Sequence, residues 1–413
     1  MHILFLTDNF PPEVNAPASR TFEHCRVWVN AGHKVTVITC APNFPKGIVY
    51  ESYQNRLWQT EQMAGIAVIR VWSYITANEG IVKRTLDYLS FMVSAVLAAP
   101  FVGQVDVVIG TSPQFFTVCA ACLTGSLKRV PWIFELRDIW PESIRAVGAM
   151  QQSRVLDAVE KLEMYLYRKA NAIVTVTNSF RLDLIRRGID SDKIHVVTNG
   201  VDIERFTPRE KDPELVERYR LQDKFVAGYI GTHGMAHALD TLLEAAGLLR
   251  QDPDGDRYVF ILLGDGANKT RLLERASIER LNNVIFIDSV PKDQVVRYWS
   301  LLDVSIIHLK KTALFTSVIP SKLFESMAMA IPVLLGVQGE SAGIVEREGV
   351  GLVFEPENAE ALCHGLRSLS EHRSKYQHFK LNGPKAAANY DRAVLAAKMQ
   401  RVIEYLVLKK VKM

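Results

Sequence analysis

Short apolar runs, rich in β-branched residues, alternate along the chain with segments of helical periodicity. Continuous apolar runs of about four to eight residues predict strands buried on both faces of a parallel sheet. In the first half, the pattern predicts strands at residues 2–7, 34–39, 66–72, 105–110, 132–136 and 172–177. In the second half, it predicts strands at residues 225–231, 258–263, 284–288, 304–308, 332–335 and 351–354. Two such sets indicate two doubly wound α/β domains.

The predicted boundary between the two domains lies near residues 197–208. There, the turn signal Asn199-Gly200 precedes Pro208 and the charged stretch 209–220. We therefore predict a first domain over residues 1–198, a second over 199–386 and a C-terminal helix within 387–413. Open parallel sheets bind ligands beyond the carboxyl ends of their strands, so we expect the two domains to face each other across a cleft.

The composition excludes several classes of protein. Apolar residues make up 48% and charged residues 23% of the 413 positions, which argues against a disordered chain. A net charge of +4, without a basic stripe interleaved with aromatic residues, gives no indication of nucleic-acid binding. The 5 cysteines are scattered among apolar segments, which indicates reduced thiols in a cytosolic protein. Cys119 and Cys122 spell CxxC, but the apolar residues around them favour a buried helix over a metal or redox site.

One apolar segment leaves two interpretations open. Residues 88–104 carry no charge, but they are fewer than the roughly 20 apolar residues that a membrane-spanning helix needs. Lys83 and Arg84 precede the segment. This arrangement fits a buried core helix or a helix that lies in the interface of an anionic membrane. Met1 is followed directly by a strand-like run, so we expect no signal peptide.

The segment from Ile319 to Leu335, IPSKLFESMAMAIPVLL, is the most informative part of the chain. Ser321 can cap a helix, and Lys322 falls in the first helical turn, where free N–H groups favour an anion such as phosphate. Glu325 lies one turn later among apolar residues, where burial of a lone carboxylate is costly unless polar groups meet it. The hydroxyls of a ribose would satisfy it; the alternative is a cap or ion pair at a helix end.

This segment resembles the nucleotide-sugar-binding segment of the retaining glycosyltransferases of family 4, which have the GT-B fold. The resemblance implies an α/β protein with two doubly wound Rossmann-like domains facing across a cleft, the first binding the acceptor and the second the donor. It also implies that the C-terminal helix crosses back to the first domain and that catalysis needs neither a metal nor another cofactor. Glu325 then matches the residue that binds the ribose, and Lys322 a phosphate ligand.

Two segments of the first domain are candidate parts of the site. The loop after the first predicted strand places Asn15 and Ala16 where the family usually has a Gly-Gly pair near the donor diphosphate. A helix is expected after this loop and Arg20. The segment 135–142 follows a buried strand and contains four charged residues, Glu135, Arg137, Asp138 and Glu142. Such a density of charge at the end of a strand predicts a polar ligand. Arg137 is expected to contact the donor phosphate and Asp138 to orient an acceptor hydroxyl, unless these two only pair with each other. The predicted acceptor-binding residues are Arg20, Glu135, Asp138 and Glu142.

The second domain holds the predicted donor site. Its first loop has Thr232 and His237 where the family usually has an arginine and a lysine, so backbone groups near His233 and Gly234 must help Lys322 to hold the diphosphate. Ser317 occupies the place of the usual first glutamate, which implies an unusual deoxy or amino sugar. The remaining predicted donor contacts are Lys269, which is a phosphate neighbour or a solvated lysine, Ser321, and Ser289 and Val290 near the base.

The opening loop and the segment 135–142 also resemble the fucosamine-type transferases of bacterial surface-polysaccharide clusters. We therefore expect a hexosyltransferase-type enzyme that uses a nucleoside diphosphate sugar, with UDP as the expected nucleotide, and a polyprenyl-diphosphate-linked saccharide acceptor. Such an enzyme works in the cytoplasm at the inner face of the cytoplasmic membrane. Two other interpretations are a nucleotide-sugar 2-epimerase of the same fold and a catalytically silent membrane scaffold of a polysaccharide complex.

Overall fold

The chain divides into two compact units in a computed structural model that describes residues 1–44, 46–76, 81–139, 154–291 and 293–411. Unit 1 comprises Met1–Asn199 and Arg392–Met413, and unit 2 comprises Gly200–Asp391. Each unit is a mainly or wholly parallel sheet with helices on both faces. Glu142, which the sequence analysis named as an acceptor-binding residue, lies outside the described residues.

Unit 1 is built on a sheet of 8 strands in the order β3-β4-β2-β1-β5-β6-β7-β8. In register, Leu4 of the central strand lies beside Thr36 on one side and Val108 on the other. The strands are β1 His2–Leu6, β2 Lys34–Cys40, β3 Trp58–Met63, β4 Ile66–Val71, β5 Val107–Thr111, β6 Trp132–Leu136, β7 Ala172–Thr175 and β8 Ile194–Val196. The helices are α1 Ala16–Asn30, α2 Ile81–Ala98, α3 Phe115–Lys128, α4 Arg154–Lys169 and α5 Asn178–Arg186.

Three local predictions for unit 1 were wrong. The sheet is not wholly parallel, because β3 pairs antiparallel with β4 through a two-residue turn at Ala64 and Gly65, both with positive φ. Its polar sequence and alternating exposure hid this edge strand from a search for continuous apolar runs. The short strand β8 was also missed. Helix α1 begins at Ala16, before Arg20, because Asn15 already caps it.

Unit 2 is built on a parallel sheet of 6 strands in the order β11-β10-β9-β12-β13-β14. Apolar clusters cover both faces of the sheet, one centred on Trp299 and Phe324, the other on Leu243 and Phe260. The strands are β9 Phe225–Ile230, β10 Tyr258–Leu263, β11 Val284–Ile287, β12 Val304–His308, β13 Val333–Gly336 and β14 Gly351–Val353. The helices are α6 Pro213–Arg218, α7 Asp240–Leu249, α8 Lys269–Ile278, α9 Val295–Trp299, α10 Lys322–Ala328, α11 Glu340–Glu348, α12 Ala359–Glu371 and α13 Arg373–Ala387.

The C-terminal helix α14, Arg392–Val411, packs in unit 1 against α1. It begins five residues later than predicted, because α13 runs through Ala387 and a short 3-10 helix follows. The indole N–H of Trp28 donates to the carbonyl oxygen of Ala396 over 2.9 Å, and Met399 and Ile403 are fully buried in the same cluster. Helix α14 is therefore part of the core of unit 1.

Helix α2 has one face in the core and one face in solvent. Phe91 and Ala95 are buried, whereas Val93 and Leu97 are 52% and 66% exposed. Residues 88–98 of this helix therefore contact the core on one face and expose apolar side chains on the other. In the part of the chain that the structure describes, no helix is long and apolar enough to cross a membrane.

We expect Met399→Ala to destabilise unit 1, because it removes a fully buried side chain between α14 and the sheet. A core truncation of this kind costs about 2–5 kcal/mol. Leu408→Ala on the same helix is the matched control, since Leu408 is 63% exposed and its loss should change stability by no more than about 0.5 kcal/mol. Urea unfolding followed by circular dichroism measures both; equal effects would contradict the packing of α14.

Candidate active site

In each sheet, the strand order predicts that a ligand binds at the carboxyl ends of the central strands. In unit 1, the chain leaves β1 toward β2 on one side, while β5 lies on the other. In unit 2, β9 has the same position between β10 and β12. Loops that leave such neighbouring strands in opposite directions open a crevice at the carboxyl ends. The sequence-predicted residues follow these strand ends or those of their neighbours.

Lys322 is the central cation of the unit 2 site. Its ammonium lies 3.8 Å from the centroid of the Tyr229 ring, and a Cβ on Gly231 would come within 2.6 Å of its Nζ. Gly231, with a φ of +148°, lets the backbone after β9 lie close to this ammonium. Burial lowers the pKa of Lys322 to about 7, although Glu325, one turn along α10, acts in the opposite direction. A bound anion would restore the charge.

His233 lies between two glycine-containing loops, one after β9 and one after β10. Gly264 has a φ of +146°, and a Cβ there would collide with the carbonyl oxygen of Gly231. The backbone N–H of His233 donates to Asp265 over 2.8 Å, which ties the loop after β9 to the loop after β10. Both ring nitrogens of His233 are buried without a hydrogen-bond partner among the described residues, and burial lowers its pKa to about 4. A neutral imidazole is thus left with its polar atoms unsatisfied beside Lys322.

The nearby histidines are also neutral. Burial lowers the pKa of His237 to about 4, and Lys322 adds to the shift. The Nε2 atom of His308 accepts the backbone N–H of Glu357, so its Nδ1 carries the proton that it donates to the carbonyl oxygen of His237. Neither Thr232 nor His237 therefore supplies the fixed positive charge that an arginine and a lysine would give.

The start of α10 differs from the sequence prediction. Ser321 occupies the N-cap position, but its side chain makes no capping hydrogen bond. The backbone N–H groups of Leu323 and Phe324 donate to the carbonyl oxygens of Pro320 and Ser321 in tight turns. The predicted cap was wrong, and the positive character of this segment comes from the Lys322 side chain. Glu325 projects from the same turn and is only partly buried.

The other predicted donor residues have different surroundings. Lys269 donates to the carbonyl oxygen of Gly264 over 2.8 Å and pairs with Asp288, so it is not a simple solvated lysine. The hydroxyl of Ser317 donates to the carbonyl oxygen of Leu314. Ser289 is exposed, and Val290 packs partly on the core near the end of β11.

In unit 1, a cluster of buried charges lies at the carboxyl end of β6. Arg20 holds Glu135 through a 2.9 Å contact and donates its other N–H groups to the carbonyl oxygens of Val197 and Thr198. Burial would raise the pKa of Glu135, but Arg20 and Arg137 outweigh it and keep this pKa below its usual value. The guanidinium of Arg20 is thus committed to the protein itself.

Arg137 differs from Arg20 because part of its guanidinium makes no hydrogen bond to the described residues. Its backbone N–H donates to the hydroxyl of Ser112, which also accepts from the N–H of Asp138. The Nε and Nη1 atoms of Arg137 are buried without a hydrogen-bond partner among the described residues. Burial lowers its pKa to about 10, so it stays charged at neutral pH. A buried cation with unsatisfied donors is a site for an anion.

Asn15 and Ala16 serve the start of α1. The Asn15 side chain accepts the N–H of Ala18 over 2.8 Å and donates to Asn9, while Ala16 is exposed in the first turn. The structure therefore gives Asn15 the role of a helix cap. Only its backbone and the small side chain of Ala16 remain for the ligand contact that the sequence suggested.

Three carboxyl groups near this edge were missed from the sequence. Burial raises the pKa of Asp8, which follows β1, and that of Glu13. Burial, together with Asp8, raises the pKa of Asp87 to about 7. Asp8 could have been found, because a charged residue directly after a buried strand is unusual. Asp87 carries no such signal, since only the fold brings α2 close to Asp8.

Comparisons with known proteins agree with this architecture. Residues 15–200 match the family described as glycosyl transferase 4-like domain, and residues 212–386 match glycosyl transferases group 1. The putative colanic acid biosynthesis glycosyl transferase WcaI of Escherichia coli K12 is 26% identical over 379 residues, which are 89% of this chain and 91% of that protein.

Solved structures show the same fold. Sucrose-phosphate synthase of Thermosynechococcus elongatus superposes with a TM-score of 0.75 at 15% identity, over 99% of both chains. HepE of Anabaena, in complex with UDP, superposes with a TM-score of 0.72 at 16% identity, over 98% of this chain and 100% of the other. The predictions of a GT-B fold and of a glycosyltransferase enzyme are confirmed. The chain thus has the GT-B fold, with a glycosyl transferase 4-like domain over residues 15–200 followed by a glycosyl transferases group 1 domain over residues 212–386.

Proposed function

We propose that this enzyme transfers a sugar from a UDP-linked donor to a lipid-linked saccharide, with retention at the anomeric carbon and without a metal, in bacterial surface-polysaccharide assembly. The observation that carries this proposal is the placement of Lys322 against Tyr229 and Gly231, at the carboxyl edge of the group 1 domain. The match to a protein named for colanic acid biosynthesis supports the polysaccharide role, and the complex of the structurally similar HepE with UDP supports the nucleotide.

In unit 2, Lys322 binds the diphosphate. His233 and His237 are neutral near pH 7, and Lys269 is paired with Asp288, so Lys322 carries the positive charge that this loop region offers to a ligand. Backbone groups of Thr232, His233 and Gly234 complete the phosphate contacts, with Lys269 and Ser321 at the margin. Stabilisation of the leaving diphosphate by a fixed cation in a partly dry site is the main source of rate.

The same unit selects the rest of the donor. Glu325 accepts both ribose hydroxyls, and the base lies near Ser289 and Val290. The hydroxyl of Ser317 donates its hydrogen bond to the carbonyl oxygen of Leu314, so its oxygen can only accept a hydrogen bond from the sugar. An acetamido N–H can donate to it, as a sugar hydroxyl can, so this contact is compatible with the N-acetylated deoxy-amino sugar of the fucosamine type that we propose.

In unit 1, Arg137 and Asp138 carry the proposed chemistry. The guanidinium of Arg137, two of whose nitrogens lack partners among the described residues, binds a phosphate oxygen, and Asp138 orients the acceptor hydroxyl. Arg20 acts through Glu135, which it holds in place beside Arg137. Retention needs no carboxylate nucleophile, because a donor phosphate oxygen can take the proton of the acceptor.

A face of α2 attaches the enzyme to the inner surface of the cytoplasmic membrane. Lys83 and Arg84 are exposed at its start, and its exposed apolar residues continue to Phe101, which packs edge-on against Trp58 at 5.9 Å. Each cation near an anionic surface contributes about 1 kcal/mol, and each buried apolar Å² about 25 cal/mol. These terms give reversible binding beside a lipid-linked acceptor.

We expect Glu325→Ala to weaken donor binding by roughly 30- to 1000-fold, about 2–4 kcal/mol, because the ribose hydroxyls lose their acceptor. Calorimetry with UDP and 2′,3′-dideoxy-UDP measures the ribose contribution directly. Wild type should prefer UDP strongly, and the variant should not distinguish the two. Glu346→Ala, an exposed acid on α11, is the control. An unchanged preference in the variant would refute the ribose contact.

The affinity for UDP-glucose should fall as pH rises above about 7, by up to tenfold per pH unit, because the free enzyme then loses the charge on Lys322. Binding at pH 8 should take up close to one proton, measured by calorimetry in buffers of different ionisation enthalpy. Lys322→Met should abolish this dependence and weaken binding at pH 6.5 by about 10- to 150-fold, the worth of one charge-assisted contact. Lys380→Met on α13 should behave as wild type; a pH-independent wild-type affinity would contradict the proposal.

Wild type should float with anionic vesicles at low salt and be released at high salt. The double variant Lys83→Glu, Arg84→Glu should bind at least tenfold more weakly, since it reverses two charges at the start of α2. Arg26→Glu with Lys34→Glu is the matched control, because both residues are exposed elsewhere on unit 1. Failure of wild type to float, or equal loss in the control, would count against the membrane contact.

A further inference from the structure

Unit 1 contains a cavity of about 620 Å³ at the edge of its sheet opposite the candidate active site. Its wall includes Trp132 at the start of β6 and Asn171 just before β7. Three helices end around it, α3 at Lys128, α4 at Lys169 and α14 at Val411. The amino ends of the strands and the carboxyl ends of the helices therefore form its rim.

The cavity has an apolar floor and a cationic rim. Trp132 and Leu406 are 4% and 8% exposed and form the floor. The rim carries four cations, all exposed, and no carboxylate among the lining residues that the structure describes: Arg129, Lys169, Lys409 and Lys410. Such an arrangement is complementary to an anion that is attached to an apolar group.

All four cations lie at the carboxyl ends of helices. Basic side chains are common in the last turn of a helix, where they offset the carbonyl dipoles. Lys410 has this role, since it donates to the carbonyl oxygen of Arg129 over 2.6 Å. Lys169 and Lys409 also lie in the last turns of their helices, with their ammonium groups 5.8 and 6.0 Å from the ring centroids of Tyr165 and Tyr405. Within the described ranges, none of the four rim cations forms an ion pair.

We propose that this cavity binds a phosphate ester with an apolar portion, separately from the sugar-transfer site. The phosphate lies between the rim cations, and the apolar portion covers Trp132 and Leu406. A phospholipid with an anionic headgroup has both parts, whereas a small polar phosphate ester has only the charge.

Calorimetry on the full chain separates these sources. The probes are a short-chain phosphatidylglycerol kept below its micelle concentration and glycerol 3-phosphate, with short-chain phosphatidylcholine for charge selectivity. We expect the phosphatidylglycerol to bind at least tenfold more tightly than the phosphatidylcholine. If glycerol 3-phosphate binds much more weakly, the cavity takes the lipid; if it binds equally well, the apolar portion contributes nothing and the proposal is wrong.

The decisive variants have matched positions. Lys169→Ala with Lys409→Ala removes two rim cations and should weaken phosphatidylglycerol binding by tenfold or more. Lys161→Ala with Lys398→Ala removes two exposed lysines from the same two helices outside the cavity and should leave it unchanged. UDP binding should be the same in wild type and both double variants. Absence of binding by both phosphate probes, or equal loss in the two double variants, would overturn the proposal.

Discussion

Two neighbouring parallel strands whose connections leave in opposite directions dictate where this protein can bind a ligand. In unit 1 these strands are β1 and β5, and in unit 2 they are β9 and β12. The divergence keeps helices from covering the carboxyl ends of the strands, so side chains and backbone groups remain accessible there. Ser112, Arg137, Gly231 and Lys322 all occupy loops or helix starts at these edges.

The two sites are alike in that each places a cationic side chain, Arg137 in unit 1 and Lys322 in unit 2, where the protein does not neutralise its charge. Arg137 has donors without partners in the described part of the chain, and Lys322 rests on an aromatic ring and a glycine backbone. Burial of either charge is unfavourable for folding by itself. The surrounding fold offsets that cost through well-packed sheets, and a bound phosphate would remove it. Differential stabilisation of developing charge is how such sites accelerate group transfer.

Most of the strand framework followed from the pattern of apolar residues, because parallel strands buried on both faces produce continuous apolar runs. Strands such as β6 and β10 coincide with their predicted ranges. The exceptions have clear causes. The edge strand β3 alternates polar and apolar residues, and β8 has only 3 residues. The start of α1 was displaced because Asn15 was interpreted as part of a ligand loop, whereas its side chain caps the helix.

By itself, the sequence determined that the chain forms two doubly wound units and that Lys322 and Glu325 share one helical turn, since both are consequences of local periodicity. Only the tertiary structure decided which charges stay available. The sequence does not distinguish Arg20 from Arg137. In the structure, the guanidinium of Arg20 donates to the carbonyl oxygens of Val197 and Thr198, far along the chain, whereas that of Arg137 does not. The cationic cavity likewise joins residues 129, 169 and 409. Pairing and burial depend on contacts between distant segments, and no local pattern encodes them.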